Sequence, residues 1–278
     1  MLRLRVITAL VLVVPFLLSL TVASLLPFAL LTLVFIAAAG WEWGRLNQAP
    51  GPVSVGMAVL LALACAAAFA ADWTTRTPAA AWWVACAVWL VGGFIALRSG
   101  PTQWPHLPRM ARWAIGLVAL WAAWLAMGRA RAVGINFMLS VFCLVWMADV
   151  AAYFGGKAWG RRKLAPSISP GKSWEGVWSG MAGVLLLALL WNWIDRTFAV
   201  DGPSLYTHLA RTVGLVGTVL TLLALSAMSV VGDLVESLVK RAAGMKDSSG
   251  LLPGHGGVLD RIDALLPVFP IALALAWL

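Results

Sequence analysis

Residues 212–263 read TVGLVGTVLTLLALSAMSVVGDLVESLVKRAAGMKDSSGLLPGHGGVLDRID. Thr212 to Val231 carries no charge, and a run of about 20 apolar residues is what a helix needs to cross a bilayer core. Directly behind it comes a segment dense in charge, glycine and serine. The whole chain is 62% hydrophobic and only 11% charged. Against that background, so much charge beside a membrane span is costly and marks a functional segment.

The rest of the chain repeats the first half of this pattern. Mean hydropathy is +0.91, and apolar runs recur at Val6 to Leu20, Leu25 to Ala39, Val53 to Ala71, Pro78 to Leu97 and Trp113 to Met127. Further runs follow at Ala132 to Phe154, Val177 to Ile194, Thr212 to Val231 and Ala264 to Leu278. Only segments that satisfy their own backbone hydrogen bonds cross lipid, and nothing here alternates like a barrel strand. The fold class is therefore all-α, a polytopic membrane protein with about nine spans. Val6 to Ala39 is one uncharged run and reads as one span or two, with a bend near Ser19, Ser24 and Pro27. Arg3 and Arg5 before that run imitate a signal peptide, but the apolar runs behind it favour a first span. Two regions follow: 1–131, with about five spans, and 132–278, a catalytic membrane region with motif loops at 155–173 and 232–263.

The net charge of +9 invites a nucleic-acid reading, which its distribution argues against. With nine spans, 15 of the 20 Lys and Arg fall on the N-terminal side and 5 on the other. That asymmetry is the positive-inside signal and places the N-terminus and both basic loops in the cytoplasm. Cys65, Cys86 and Cys143 stand singly in apolar runs and read as small buried hydrophobes.

Asp233, Glu236, Ser237 and Lys240 share one face of a helix, and Ser229 extends that stripe one turn toward the membrane. Glu236 with Lys240 also reads as a plain exposed pair worth about 0.2–0.5 kcal/mol. Asp233 calls for a cation or a basic partner, because a lone carboxylate at the bilayer edge is expensive. Further on, Gly250, Gly254, Gly256 and Gly257 surround Pro253 and His255, a backbone able to turn tightly and approach a ligand. Lys240, Arg241, Lys246 and Arg261 flank this turn with positive charge suited to phosphate. Asp260 and Asp263 then open the last helix, and with Asp233 they suit Mg²⁺ completed by phosphates and water. Taken singly, the acids also read as helix caps and the bases as membrane-surface charge.

The other basic loop, Asp149 to Gly176, reads DVAAYFGGKAWGRRKLAPSISPGKSWEG. Asp149 and Tyr153 lie one turn apart at the end of a span. Gly171-Lys172-Ser173 suggests a P-loop, but Pro166 stands where that motif requires glycine and no strand precedes it. A hydroxyl-bearing basic loop for phosphate or lipid headgroup remains.

These segments resemble the phosphatidate cytidylyltransferase (CDP-diacylglycerol synthase) family. Ser237 to Asp263 matches its signature S-x-apolar-K-R, K-D, then H-G-G-apolar-x-D-R-apolar-D. Asp149 to Gly156 resembles its D-x-x-A-Y-x-x-G segment, and Ser169 to Gly176 its S-P-K-K-T-x-E-G segment. In the last, Gly171 replaces a lysine and Ser173 a threonine. The resemblance covers Asp149 to Asp263; upstream, only hydrophobic spans correspond. It implies transfer of CMP from CTP to phosphatidic acid, releasing pyrophosphate; the charge asymmetry fits a bacterial inner membrane. It also implies Asp233, Asp260, Asp263 and Arg261 as catalytic residues, with the three aspartates on Mg²⁺, alone or with a second cation in the same site. Asp149, Tyr153, Ser169, Lys172, Ser237, Lys240, Arg241, Lys246, Asp247, His255, Gly256 and Gly257 would contact substrates. A homodimer is the implied assembly.

Two other classes stay open on the residues alone. A CTP-dependent polyprenol kinase would give CDP and a phospholipid instead of a CDP-lipid and pyrophosphate. A transporter would keep its carboxylates at mid-membrane, where these spans are apolar. The D-G-x-x-A-R run of CDP-alcohol phosphatidyltransferases does not occur in the sequence, and nucleic-acid binding has only the high pI behind it.

Overall fold

Apart from one two-stranded ribbon, the regular structure of the described residues is helical. The computed structural model describes residues 2–276, with side chains from residue 6 onward. Each apolar run has become a helix: α1 (Leu2–Thr21), α2 (Leu26–Leu46), α3 (Gly51–Ala70), the short α4 (Trp73–Arg76), α5 (Ala79–Ser99), α6 (Arg109–Val133) and α7 (Ile135–Trp159). Strands β1 (Lys163–Ala165) and β2 (Ser169–Ser173) pair antiparallel and lead into α8 (Trp174–Thr197), α9 (Leu205–Thr212), α10 (Gly214–Ala242), α11 (Leu259–Ile262) and α12 (Leu265–Ala276).

The first uncharged run is two helices, not one. Residues 22–25 are non-helical, and Pro27 sits in the first turn of α2, where its missing N–H costs nothing. Arg131 of α6 donates to the Val22 carbonyl at 3.0 Å, satisfying an acceptor that the break leaves without an intrahelical partner.

The exact count of nine spans is not confirmed. Among the described residues, seven helices are long and apolar enough to cross a membrane: α2, α3, α5, α6, α7, α8 and α10. The first and last runs make the difference. The described apolar stretch of α1, Val6–Thr21, falls short of that length. The 12 residues of α12 rise about 18 Å at 1.5 Å each, well under a core of about 30 Å. All of α12 except Leu275 is buried, packed among α5, α6 and α10. Its uniform hydrophobicity serves the protein interior. The outer helices instead expose large apolar side chains, among them Val84, Phe94 and Leu189, far more than a water-facing surface would tolerate.

Close helix packing places the ribbon. A Cβ at Gly180 would lie 2.7 Å from the Ala148 carbonyl, and one at Gly176 2.8 Å from that of Ala152. Only hydrogen fits there, so α7 and α8 approach backbone to backbone, as small residues allow in membranes. The ribbon joining them is held at their shared end. Ser173 caps α8 by accepting from the Gly176 N–H at 3.2 Å, a link worth about 1 kcal/mol.

Candidate active site

The helical face predicted for α10 exists and is turned inward. Glu236, Ser237 and Lys240 are buried and Asp233 is half-buried. Two membrane-length helices, α8 and α10, with the short α9 between them separate the two basic loops in sequence, yet the loops meet here. Lys172 of β2 pairs with Asp233 at 2.6 Å, and Arg241 donates to the Ile168 carbonyl at 3.2 Å. Asp149 of α7 lies near enough to Lys172 and Asp233 to feel both charges.

The next layer is a buried ion cluster. Lys240 bonds Asp260 at 2.6 Å and also pairs with Glu236. The second Asp260 oxygen accepts from the Ser248 N–H and hydroxyl at 2.9 Å each and from the Gly257 N–H at 2.8 Å. Burial alone would raise the Asp260 pKa, but Lys240 and those donors outweigh it and hold the carboxyl below its ordinary range. Asp263 behaves oppositely. Burial, reinforced by the charge of Asp233, pushes it up to about 8, although the Ala264 N–H donates to it at 2.8 Å. Gly232 makes this crowding possible: a Cβ there would sit 2.5 Å from the Asp263 carbonyl.

Charge does not balance in the cluster. Among the described residues, the ion pairs within the group Asp149, Asp233, Glu236, Asp260 and Asp263 come from two lysines, Lys172 and Lys240, an excess of three negative charges when all are ionised. Neither oxygen of Glu236 accepts a well-directed hydrogen bond. Ions lose several kcal/mol each on leaving water, so an under-compensated cluster is costly without a further cation or proton. Among the described residues, no three His, Cys, Asp or Glu side chains form a ready metal cage. Mg²⁺ asks for less, since it usually takes one or two carboxylates and completes its shell with phosphate and water.

The glycine turn lies over this cluster. Gly254 and Gly256 have φ of 77° and 83°, the left-handed region that glycine enters freely. His255 is partly buried, and its ring Nδ1 lacks a hydrogen-bond partner. Its carbonyl accepts from Arg261 at 2.7 Å, leaving that exposed guanidinium beside the turn. Lys246 and Asp247 are exposed at the loop edge, and Ser169 sits half-buried opposite Ala165 in the ribbon. Tyr153 is 63% exposed and stands edge-on to Phe154 at 5.3 Å, one turn beyond Asp149 on α7.

Glu42 is absent from the residues expected above. It comes from α2, is fully buried, and takes the Val258 N–H at 2.9 Å, the Leu259 N–H at 2.6 Å and the hydroxyls of Ser248 and Ser249. One signal for it was in the sequence: it is the first acid of the chain and follows an apolar run, the feature that singles out Asp149 and Asp233.

Residues 3–278 match the model of the cytidylyltransferase family. The chain is 37% identical over 282 aligned positions to the phosphatidate cytidylyltransferase of Pseudomonas aeruginosa, covering 100% of this chain and 97% of that protein. It is 47% identical over 137 residues to the phosphatidate cytidylyltransferase of Haemophilus influenzae, covering 49% of this chain and 44% of that one. The Bacillus subtilis protein of the same name is 39% identical over 137 residues, covering 49% and 46%.

Proposed function

The chain belongs to the cytidylyltransferase family, and from that premise we propose how its polar cluster makes CDP-diacylglycerol. The reaction transfers CMP from CTP to phosphatidic acid. An oxygen of the lipid phosphate attacks the α-phosphorus, and the bond to the β-phosphate oxygen breaks to release pyrophosphate. The attacking phosphomonoester is largely ionised near neutral pH, so no strong base is needed. The obstacle is repulsion between two polyanions, and catalysis means neutralising charge and fixing position.

One observation carries this reading: lysines and carboxylates from two distant loops converge where α10 leaves the bilayer-length bundle. Lys172 and Lys240 stand ready to exchange carboxylate partners for phosphates. Arg241, Lys246 and Arg261 add positive charge at the rim, and His255 with Gly256 and Gly257 shapes the nucleotide turn. The excess negative charge and the raised Asp263 fit a divalent cation that one or two of Asp233, Asp260 and Asp263 would hold, phosphate and water completing its shell. Bound there, Mg²⁺ would neutralise phosphate charge without proton transfer. The same end of the bundle would face the cytoplasm of a bacterial inner membrane, as its basic loops favour.

The test uses purified chain, phosphatidic acid, Mg²⁺ and CTP labelled at the α-phosphorus. Label should enter the lipid fraction, and CTP labelled at the γ-phosphorus should leave lipid unlabelled. The reverse pattern would indicate a lipid kinase and overturn the reading.

A further inference from the structure

Glu42 is a buried carboxylate whose recorded partners are all neutral: two hydroxyls and two backbone N–H groups. A buried carboxyl is tolerable where dipoles replace its water, and here two backbone N–H groups, the Ser249 hydroxyl and the Ser248 hydroxyl it shares with Asp260 do so. Those donors come from both limbs of one loop, Ser248 and Ser249 on the way in, Val258 and Leu259 on the way out. Between these limbs, the Ser248 N–H, the Ser248 hydroxyl and the Gly257 N–H all point at Asp260. The Ser248 oxygen lies 2.9 Å from Asp260 and 3.2 Å from Glu42. A hydroxyl has a single proton to donate, so the two carboxylates share one donor, and Ser248 stands between them. Gly257 leaves room for this contact, since a Cβ would fall 2.4 Å from a Glu42 oxygen.

We propose that Glu42 is a positioning residue of the transferase centre. Reaching in from α2, it clamps both limbs of the 248–259 loop and so fixes Asp260, which in turn holds Lys240. The clamp ties a span of the N-terminal half to the loop that carries the nucleotide turn. This assignment rests on the transferase reading above. Glutamine would keep the shape of Glu42 but set an amide N–H₂ against donors, which loosens the loop without removing a charge from the cluster itself.

The experiment compares full-length parent, Glu42→Gln, Ser248→Ala and the double variant in phosphatidic acid mixed micelles, with thermal unfolding measured on each. Glu42→Gln should raise KM for CTP about tenfold, the low end of what supporting shells contribute, and leave KM for phosphatidic acid unchanged. The double variant should lose no more than the worse single one, because both act through the same contact. If Glu42→Gln does not fold, Ser248→Ala alone should still raise KM for CTP. An unchanged KM for CTP in the folded variants, with kcat falling only as the folded fraction falls, would reduce Glu42 to scaffolding. Additive losses would overturn the link through Ser248. A parent chain that labels no lipid overturns the transferase reading, and the clamp with it, before any variant is compared.

Discussion

Polar networks occupy both ends of the helix bundle, and they are built on opposite terms. At the end away from the ribbon, Asp195 of α8 accepts from the Asn136 amide at 2.8 Å and from the N–H and hydroxyl of Ser204 at 2.9 and 2.6 Å. Asp201 accepts from the Ile135 and Asn136 N–H groups that open α7. Asn136 also donates to the Gly202 carbonyl and accepts from Trp191. Each carboxylate there stands against neutral dipoles and needs no ion. At the other end, carboxylates crowd one another around two lysines, Glu236 lacks directed hydrogen bonds, and Asp263 resists ionisation. A satisfied network staples the chain. An unsatisfied one is held in readiness for ligand, and strain of that kind collects at functional sites.

The comparison would fail most visibly if divalent cations proved irrelevant. Chelating Mg²⁺ should take CDP-diacylglycerol formation to background and restoring it should recover the rate; a chelator-insensitive enzyme would detach the excess charge from catalysis. Next in size is Asp233→Asn, which should lower kcat/KM by about 10²–10³, the cost typical of losing a preorganised charge partner. The Mg²⁺-free variant should melt at or above the parent temperature, because one like-charge neighbour of Asp263 is gone. A matching fall in melting temperature would make Asp233 a staple like Asp195.

Much of the fold was legible because hydrophobic runs and helices coincide. What hydropathy cannot say is which apolar helix meets lipid and which meets protein. The α12 segment is as apolar as any span, yet its neighbours are α5, α6 and α10. The α10 stripe was readable from its period alone. Glu42 shows the limit of that reasoning, since its bond to Leu259 joins residues 217 positions apart. Periodicity carries no information about which helices become neighbours, so a lone acid in α2 could be flagged without its partners being named.

A smaller effect sharpens the contrast within the site end itself. Gly257→Ala would drive a methyl carbon to 2.0 Å from the Ser248 oxygen. Overpacking of this kind costs about 1–3 kcal/mol, so the variant should melt lower and also lose rate, because the displaced atoms hold Asp260. Activity and stability falling together would mark the satisfied part of the site, as opposed to the under-compensated part represented by Asp233.

The smallest effect belongs to Asp201. Its carboxylate caps α7 from a solvent-exposed position, and removing such a cap costs about 0.5–2 kcal/mol. Asp201→Ala should therefore lower the melting temperature by a few degrees and leave kcat and both KM values at parent levels. The reason is distance along a rigid element: α7 runs 25 residues from Asp201's contacts to the ribbon, about 37 Å at 1.5 Å per residue. Fraying one end of so long a helix costs hydrogen bonds locally, while close packing of α7 on α8 holds the far end. A selective change in KM for CTP from Asp201→Ala would mean that the two polar ends communicate through α7, and their separation into staple and site would have to be abandoned.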